Sequence, residues 1–219
     1  MRLNRFLALH TSLSRRAADK EIANGNVSVN GQTAQLGVSV TDQDKVMYRG
    51  KIISPGKQKI TILFNKPAGY VCSKKGQGSH TIYDILPKKF HHLNPVGRLD
   101  KNSTGLLLMT NDGELAFNLT HPRHYKKKIY EVNLDKQLEP LHQQMINDHG
   151  IMLEDGLSKL LLEKMDDSAQ HFRVTMSEGR NRQIRRTFAS LGYQITRLHR
   201  ISMGQYSLGG VIEGKIQII

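Results

Sequence analysis

Tryptophan is absent from this 219-residue chain, cysteine occurs once, and acidic side chains are few. Each shortage excludes something. With no Trp, seven Tyr and six Phe, a broad aromatic platform for stacking single-stranded bases is not available. The lone Cys72 rules out an intrachain disulfide. Nothing near it in sequence would activate a thiolate, so it reads as a small buried or strand residue. The longest apolar run, Gly105-Leu106-Leu107-Leu108-Met109, falls far short of the roughly 20 residues that span a bilayer. Met1-Arg2-Leu3-Asn4-Arg5-Phe6 leads into no continuous apolar stretch, so a signal peptide is not expected. A cytoplasmic protein without membrane attachment follows as the expectation. His121 and His124 lie close together without a third ligand, so no metal site is expected. The shortage of acid leaves 32 Lys and Arg against 19 Asp and Glu, a formal charge of +13. Such an excess favours a polyanionic partner. No basic amphipathic helix with bulky apolar residues opposite is evident, which favours nucleic acid over a membrane surface.

What is present divides into two parts. Residues 1–58 predict a small α/β module. Leu3, Phe6, Leu7 and Leu9 recur at near-helical spacing. Ser14 reads as the N-cap of a second helix holding Ala17, Ala18, Ile22 and Ala23, and Gly25 suits its end. Val27-Ser28-Val29 followed by Asn30-Gly31 signals a hairpin. Arg2, Arg5, Arg15, Arg16 and Lys20 fall within these helices, with only Asp19 and Glu21 to balance them. A charge run of this kind is ordinarily a solvated face, but so little acid points to phosphate contact.

The stretch from Arg49-Gly50-Lys51 to Pro55-Gly56-Lys57 predicts a turn-rich boundary. The second domain then covers residues 59–219. Strands are predicted at 60–64, 105–110, 128–134, 171–176 and 194–202. Helices are predicted at 112–120 (stopped by Pro122), around 139–148, and at 181–191 before Gly192. Strands and helices do not alternate regularly. The fold class expected is therefore α+β, with a mixed, largely antiparallel sheet.

Three segments carry candidate chemistry. Asn94 to Gly105 is a polar, turn-forming stretch that feeds a buried strand, the usual setting of a functional loop. Asp100 within it would, taken alone, cap a turn as readily as act in catalysis. In Lys128-Ile129-Tyr130-Glu131-Val132-Asn133-Leu134, alternation puts Tyr130, Val132 and Leu134 on one face. Tyr130 is then either a core residue with a satisfied hydroxyl or a pocket residue. Glu178-Gly179-Arg180-Asn181-Arg182-Gln183-Ile184-Arg185-Arg186 opens a helix whose buried stripe is Ile184, Phe188 and Leu191. Arg182, Arg185 and Arg186 flank that stripe, suited to a phosphate or a buried carboxylate. Arg197 and Arg200 extend the basic region if the next strand packs alongside.

In these blocks the chain resembles the RsuA-type pseudouridine synthases of ribosomal RNA. Residues 1–58 resemble an S4 RNA-binding domain, through Met1-Arg2-Leu3, Leu13-Ser14-Arg15-Arg16 and Gly25 to Gly31. Asn65-Lys66-Pro67-Ala68-Gly69-Tyr70-Val71-Cys72-Ser73 is similar to the first catalytic-domain motif of that family. Gly97-Arg98-Leu99-Asp100 is the most specific block, extended by Thr104 to Leu108 and by Thr110-Asn111-Asp112-Gly113. The resemblance implies a pseudouridine-synthase catalytic domain that needs no cofactor and no metal. It implies Asp100 as the essential carboxylate, Tyr130 as the tyrosine against the base, and Arg185 as the basic partner of Asp100. Arg98 would fill the space left by the flipped uridine, and Leu99 and Leu198 would line the pocket. Further RNA contacts are expected from Arg2, Arg5, Arg15, Arg16, Lys20, Lys66, Asn181, Arg182 and Arg186.

Other functions predict other residues. A non-catalytic S4-type ribosome assembly protein would lack Asp100, Tyr130 or Arg185. A metal-dependent RNA hydrolase would cluster carboxylates, whereas Asp112 and Glu114 more simply begin a helix. The expected partner is ribosomal RNA or a pre-ribosomal particle, met by a monomer. Met1-Arg2-Leu3, Gly69 to Ser73 and the lack of a long basic C-terminal tail favour small-subunit RNA. Gly179-Arg180-Asn181-Arg182 leans toward the large subunit.

Overall fold

The computed structural model describes the chain apart from Ser12, Asp42, residues 54–58 and the Pro122 side chain. The Pro55-Gly56-Lys57 half of the expected boundary therefore lies outside the described residues. Two compact units are present, residues 1–59 with 111–113, and residues 60–110 with 114–219.

In the first unit, helix α1 (Leu3–His10) is followed by α2 (Arg15–Ala23). The Ser14 hydroxyl accepts from the Ala17 amide at 3.1 Å, the expected N-cap. A four-stranded antiparallel sheet of order β2-β1-β3-β4 follows, with β1 Val27–Val29, β2 Gln32–Thr33, β3 Val46–Tyr48 and β4 Lys51–Ile53. Asn30 and Gly31 both have positive φ, 51° and 85°. That is the backbone a two-residue hairpin matched to strand twist requires. Leu3, Phe6, Leu7, Ala18, Ile22 and Val27 are buried together, each large one contributing about 1.5–3 kcal/mol.

The second unit is built on a nine-stranded sheet. Its strands are β5 (Thr61–Lys66), β6 (Asn94–Pro95), β7 (Thr104–Thr110), β8 (Lys128–Leu134), β11 (Leu161–Lys164), β12 (His171–Met176), β13 (Ile195–Met203), β14 (Tyr206–Ser207) and β15 (Ile216–Ile218). The order is β11-β12-β8-β13-β7-β5-β15, with β14 on β13 and β6 on β7. A separate hairpin joins β9 (Ile151–Leu153) to β10 (Gly156–Ser158). Among the described strands of this sheet only β7 and β13 pair in parallel, so the sheet is mixed and largely antiparallel, as expected.

Alternation explains why β5 and β7 are buried on both faces. Ile62, Phe64, Leu107 and Met109 enter one apolar cluster, while Leu63, Leu106 and Leu108 enter another. The parallel contact is unusually close at Gly105, which has φ 98°. A Cβ there would stand 2.3 Å from the Arg200 carbonyl oxygen. Only glycine permits this approach, and it sets the loop before β7 against β13.

Helices α3 (Gly113–Thr120), α4 (Pro140–Gln144) and α5 (Gln183–Ser190) are the other α-helices among the described residues, with short 3-10 turns at Ile82–Asp84, Lys88–Phe90 and Pro122–His124. The helix expected over 139–148 is α4 running into a wider π turn, Met145–His149. The helix expected from 181 starts later because Arg182 sits in the left-handed region at φ 46°. The Gln183 side-chain oxygen closes that turn by accepting from the Arg180 amide at 3.1 Å. The edge strand β11 has no counterpart among the sequence expectations. Of its four residues only Leu162 is buried, so it carries no alternating signal. No helix among the described residues is long and apolar enough to cross a membrane.

Candidate active site

Asp100 sits in the loop between β6 and β7, and that loop is fastened from beneath. Lys66 ends β5 with its side chain fully buried. Its ammonium donates to the carbonyls of Asp100 (3.2 Å), Lys101 (3.2 Å), Ser103 (2.8 Å) and Pro67 (3.0 Å). Burial holds this amine below the usual lysine range. The expected RNA contact at Lys66 is therefore corrected: the side chain is an internal clamp with no exposed surface to offer. Cys72 also meets this loop, its Sγ lying 3.4 Å from both the amide and the carbonyl oxygen of Leu99. Burial pushes its thiol up, as an unreactive cysteine requires.

The Asp100 carboxylate is left partly open, and two guanidiniums approach it. Arg182 Nη1 lies 3.7 Å and Arg185 Nε 4.0 Å from Oδ2. Arg185 Nε is buried without a hydrogen bond, while its Nη1 donates to Ile195 O at 3.1 Å and its Nη2 to Asn102 O at 3.4 Å. Burial, then repulsion from Arg182, draws the Arg185 guanidinium down from its ordinary value, and Asp100 opposes this. The acid and its expected partner are thus adjacent without a hydrogen bond between them.

A cavity of about 300 Å³ opens beside this pair. Asp100, Tyr130, Arg185 and Leu198 line it, together with Arg98, Leu99 and Arg182. Tyr130 is 8% exposed, and its hydroxyl has no hydrogen-bond partner among the described residues. A core tyrosine would have satisfied that group. Arg98 is exposed at the cavity, while Leu99 and Leu198 are buried in its wall. Asn181 is exposed but does not line it.

Arg186 points elsewhere. It forms a two-pronged ion pair with Asp155, at 2.9 and 2.6 Å, and Arg180 reaches the same carboxylate at 2.8 Å. The Arg186 hydrogen bonds hold the Asp155 carboxyl below the usual range. This cluster ties the turn of the β9–β10 hairpin to the segment carrying Arg182. Arg197 faces Glu131 at 3.7 Å rather than joining the basic surface. Lys126, Lys128, Arg180 and Arg200 also line the cavity, and none was assigned to a pocket from the sequence, where Arg200 read as an extension of the basic region. For Lys128 and Arg200 strand alternation was the signal, each lying two residues from Tyr130 or Leu198 on the same face. Among the described residues, no three His, Cys, Asp or Glu side chains converge as metal ligands.

In the first unit, Arg2, Arg15, Arg16 and Lys20 are exposed and Arg5 is half-buried. None of the five has an ion pair among the described residues. The nearby acids are engaged elsewhere: Asp19 accepts from Asn4, and Glu21 pairs with Arg49.

Comparison with known proteins follows the same division. Residues 1–46 match the S4 domain, and residues 60–190 match the family described as RNA pseudouridylate synthase. The chain is 37% identical over 228 residues to ribosomal large subunit pseudouridine synthase B of Xylella fastidiosa, covering 94% of this chain and 46% of that protein. It is 35% identical over 213 residues to ribosomal small subunit pseudouridine synthase A of Pasteurella multocida, covering 95% and 90%. It spans less than half the length of the curated large-subunit relatives from Xylella and Xanthomonas. A crystal structure of a pseudouridylate synthase covers 100% of this chain and 96% of its own, at 30% identity and a TM-score of 0.71. With its fold and both sequence matches in agreement, the chain belongs to the RNA pseudouridylate synthase family and carries an S4 domain ahead of the synthase fold.

Proposed function

We propose that this protein isomerises a specific uridine of ribosomal RNA to pseudouridine, with Asp100 as the acting carboxylate. The observation that carries this reading is the Asp100 carboxylate facing a cavity 3.7 Å from Arg182 and 4.0 Å from Arg185. Tyr130 lines the same cavity, its hydroxyl without a hydrogen-bond partner among the described residues. A stacked base is out of reach, so the nucleotide must be extruded, at a cost of a few kcal/mol. Exposed Arg98, at the cavity, would fill the gap it leaves. The bond from uracil N1 to the ribose C1′ breaks, and its electron pair leaves with the base. Asp100 either bonds to C1′, a bond that breaks again when C5 attacks, or takes the C2′ proton to leave a glycal and returns it to C2′ when C5 adds. The base turns, C5 bonds to C1′, the C5 proton departs, and N1 gains a proton. Atoms balance without a second substrate, and the protein's part is to position, exclude water and stabilise charge.

Small-subunit RNA is the preferred target, on the Gly69 to Ser73 block. The large subunit is the second reading, favoured by Gly179 to Arg182 and by the Xylella relative. The protein would act in the cytoplasm as a monomer. Transcripts of both ribosomal RNAs, tritiated at uracil C5, test the reading directly. Tritium should be released from the small-subunit transcript. Release only from the large-subunit transcript would reassign the target, and release from neither would remove the activity.

A further inference from the structure

Arg200 is 2% exposed, yet it lines the cavity. Among the described residues its side chain makes one hydrogen bond, from Nε to the Leu106 carbonyl at 2.8 Å, and no ion pair. Its Nη2 is buried without any partner. A buried guanidinium with an idle donor is costly, and proteins keep such groups where a ligand completes them. Its position is informative. Arg200 stands directly across the strand pair from Tyr130, so both side chains leave the same face of the sheet. Lys128, two residues from Tyr130, lines the cavity as well. Burial and then the charge of Arg200 hold the Lys128 amine below its usual range, so the two cations face one small volume.

We propose that Arg200 binds the uracil ring at a carbonyl oxygen and stabilises the anion formed when the ring leaves the ribose. This rests on the synthase reading and extends it to a residue that reading does not use. The electron pair released from the N1 bond spreads over N1, C5 and both carbonyl oxygens, so a planar donor placed deep in the cavity meets charge that develops during the reaction. Tyr130, Leu198 and Met176 give the surroundings of Arg200 an apolar character suited to a flat base. A backbone phosphate would instead meet the exposed Arg98 and Arg182.

The test pairs a protein change with a substrate change. Ribosomal RNA transcripts tritiated at C5 are prepared with uridine, 2-thiouridine or 4-thiouridine throughout, sulfur being the poorer acceptor. Single-turnover tritium release is measured for the unaltered enzyme, Arg200→Met and Arg200→Lys, with thermal melting and RNA affinity as controls. On the uridine transcript Arg200→Met should be slower by about a hundredfold, with RNA affinity unchanged, and Arg200→Lys should recover part of the rate. One thio substitution should slow the unaltered enzyme by about tenfold and leave Arg200→Met nearly unaffected, because that variant no longer makes the hydrogen bond. Equal thio effects in both enzymes, or an undiminished rate in Arg200→Met, would overturn the assignment. Should both variants melt below assay temperature, the unaltered enzyme decides, since equal rates on all three transcripts would overturn it. Absence of release by the unaltered enzyme from the uridine transcripts would remove the synthase reading, and this inference with it.

Discussion

The buried ammonium of Lys66 donates to the backbone carbonyl of Asp100 at 3.2 Å. It thereby holds the residue proposed to do the chemistry by its main chain, leaving the carboxylate free. Three more carbonyls share the same amine. Lys66→Met keeps most of the side-chain volume but leaves those buried oxygens short of a donor. It should destabilise the fold by about 3 kcal/mol, within the range for unsatisfied buried partners of a charge. Turnover at saturating RNA should fall with it, because the Asp100 loop loses its anchor. Urea denaturation and tritium release measure the two effects. A variant as stable and as active as the parent would show the clamp to be dispensable.

Asp100→Asn keeps the size of the side chain and removes the anion. Pseudouridine formation should stop while RNA affinity stays nearly constant, since the phosphate contacts proposed for this chain lie on other residues. Filter binding and tritium release on the same preparation separate the two. Substantial residual turnover would remove Asp100 from its role.

More of this site than of the sheet around it is legible in the sequence. Period-two burial in β8 places Tyr130, Val132 and Leu134 inward, and the structure has all three buried. The Ser14 cap and the Asn30-Gly31 turn are legible because local chemistry alone determines them. Lys66 reads as an RNA contact, since a lysine beside a proline and glycine gives no local sign that four carbonyls will converge on it. That convergence joins segments more than thirty residues apart in sequence. Arg200 reads as basic surface, and its burial follows only from the parallel pairing of β13 with β7, which nothing local encodes. Strands β11 and β15 escape the pattern because mostly solvent-facing strands carry little periodicity.

His199 offers a test of that parallel pairing through pH. Its Nδ1 lies 2.7 Å from the Thr104 hydroxyl, and the residue is 8% exposed. Burial first, then repulsion from Arg197, lowers its pKa below the ordinary value of 6.5. The unfolded chain then binds a proton more readily than the folded one in the window below 6.5. This part of the stability should rise with pH through that window, be complete above it, and be lost as pH falls toward the folded-state value. His199→Gln should flatten the acid side of the curve relative to the parent. Denaturant midpoints measured across the acid range check this, and identical slopes in the two proteins would refute it.

The basic face of the first unit should act through affinity and not through the chemical step. Arg15, Arg16 and Lys20 are exposed and carry no ion pair among the described residues, while Asp19 and Glu21 are held by Asn4 and Arg49. If these cations meet phosphate, changing all three to Gln should weaken ribosomal RNA binding and make it less sensitive to salt. Each phosphate left without its cation lowers the slope of log affinity against log salt by roughly 0.7–0.9. At saturating RNA the single-turnover rate should stay within about tenfold of the parent, a barrier change of roughly 1.4 kcal/mol. The bland alternative is a solvated helix face with no partner, which is the ordinary meaning of a charge run. The two differ in the slope, because exposed charges that meet nothing leave it unchanged. Circular dichroism must first show that α1 and α2 remain folded, which is expected since none of the three side chains belongs to the buried cluster around Phe6 and Ile22. A folded triple variant with the parent's affinity and the parent's slope would show that this face does not contact RNA.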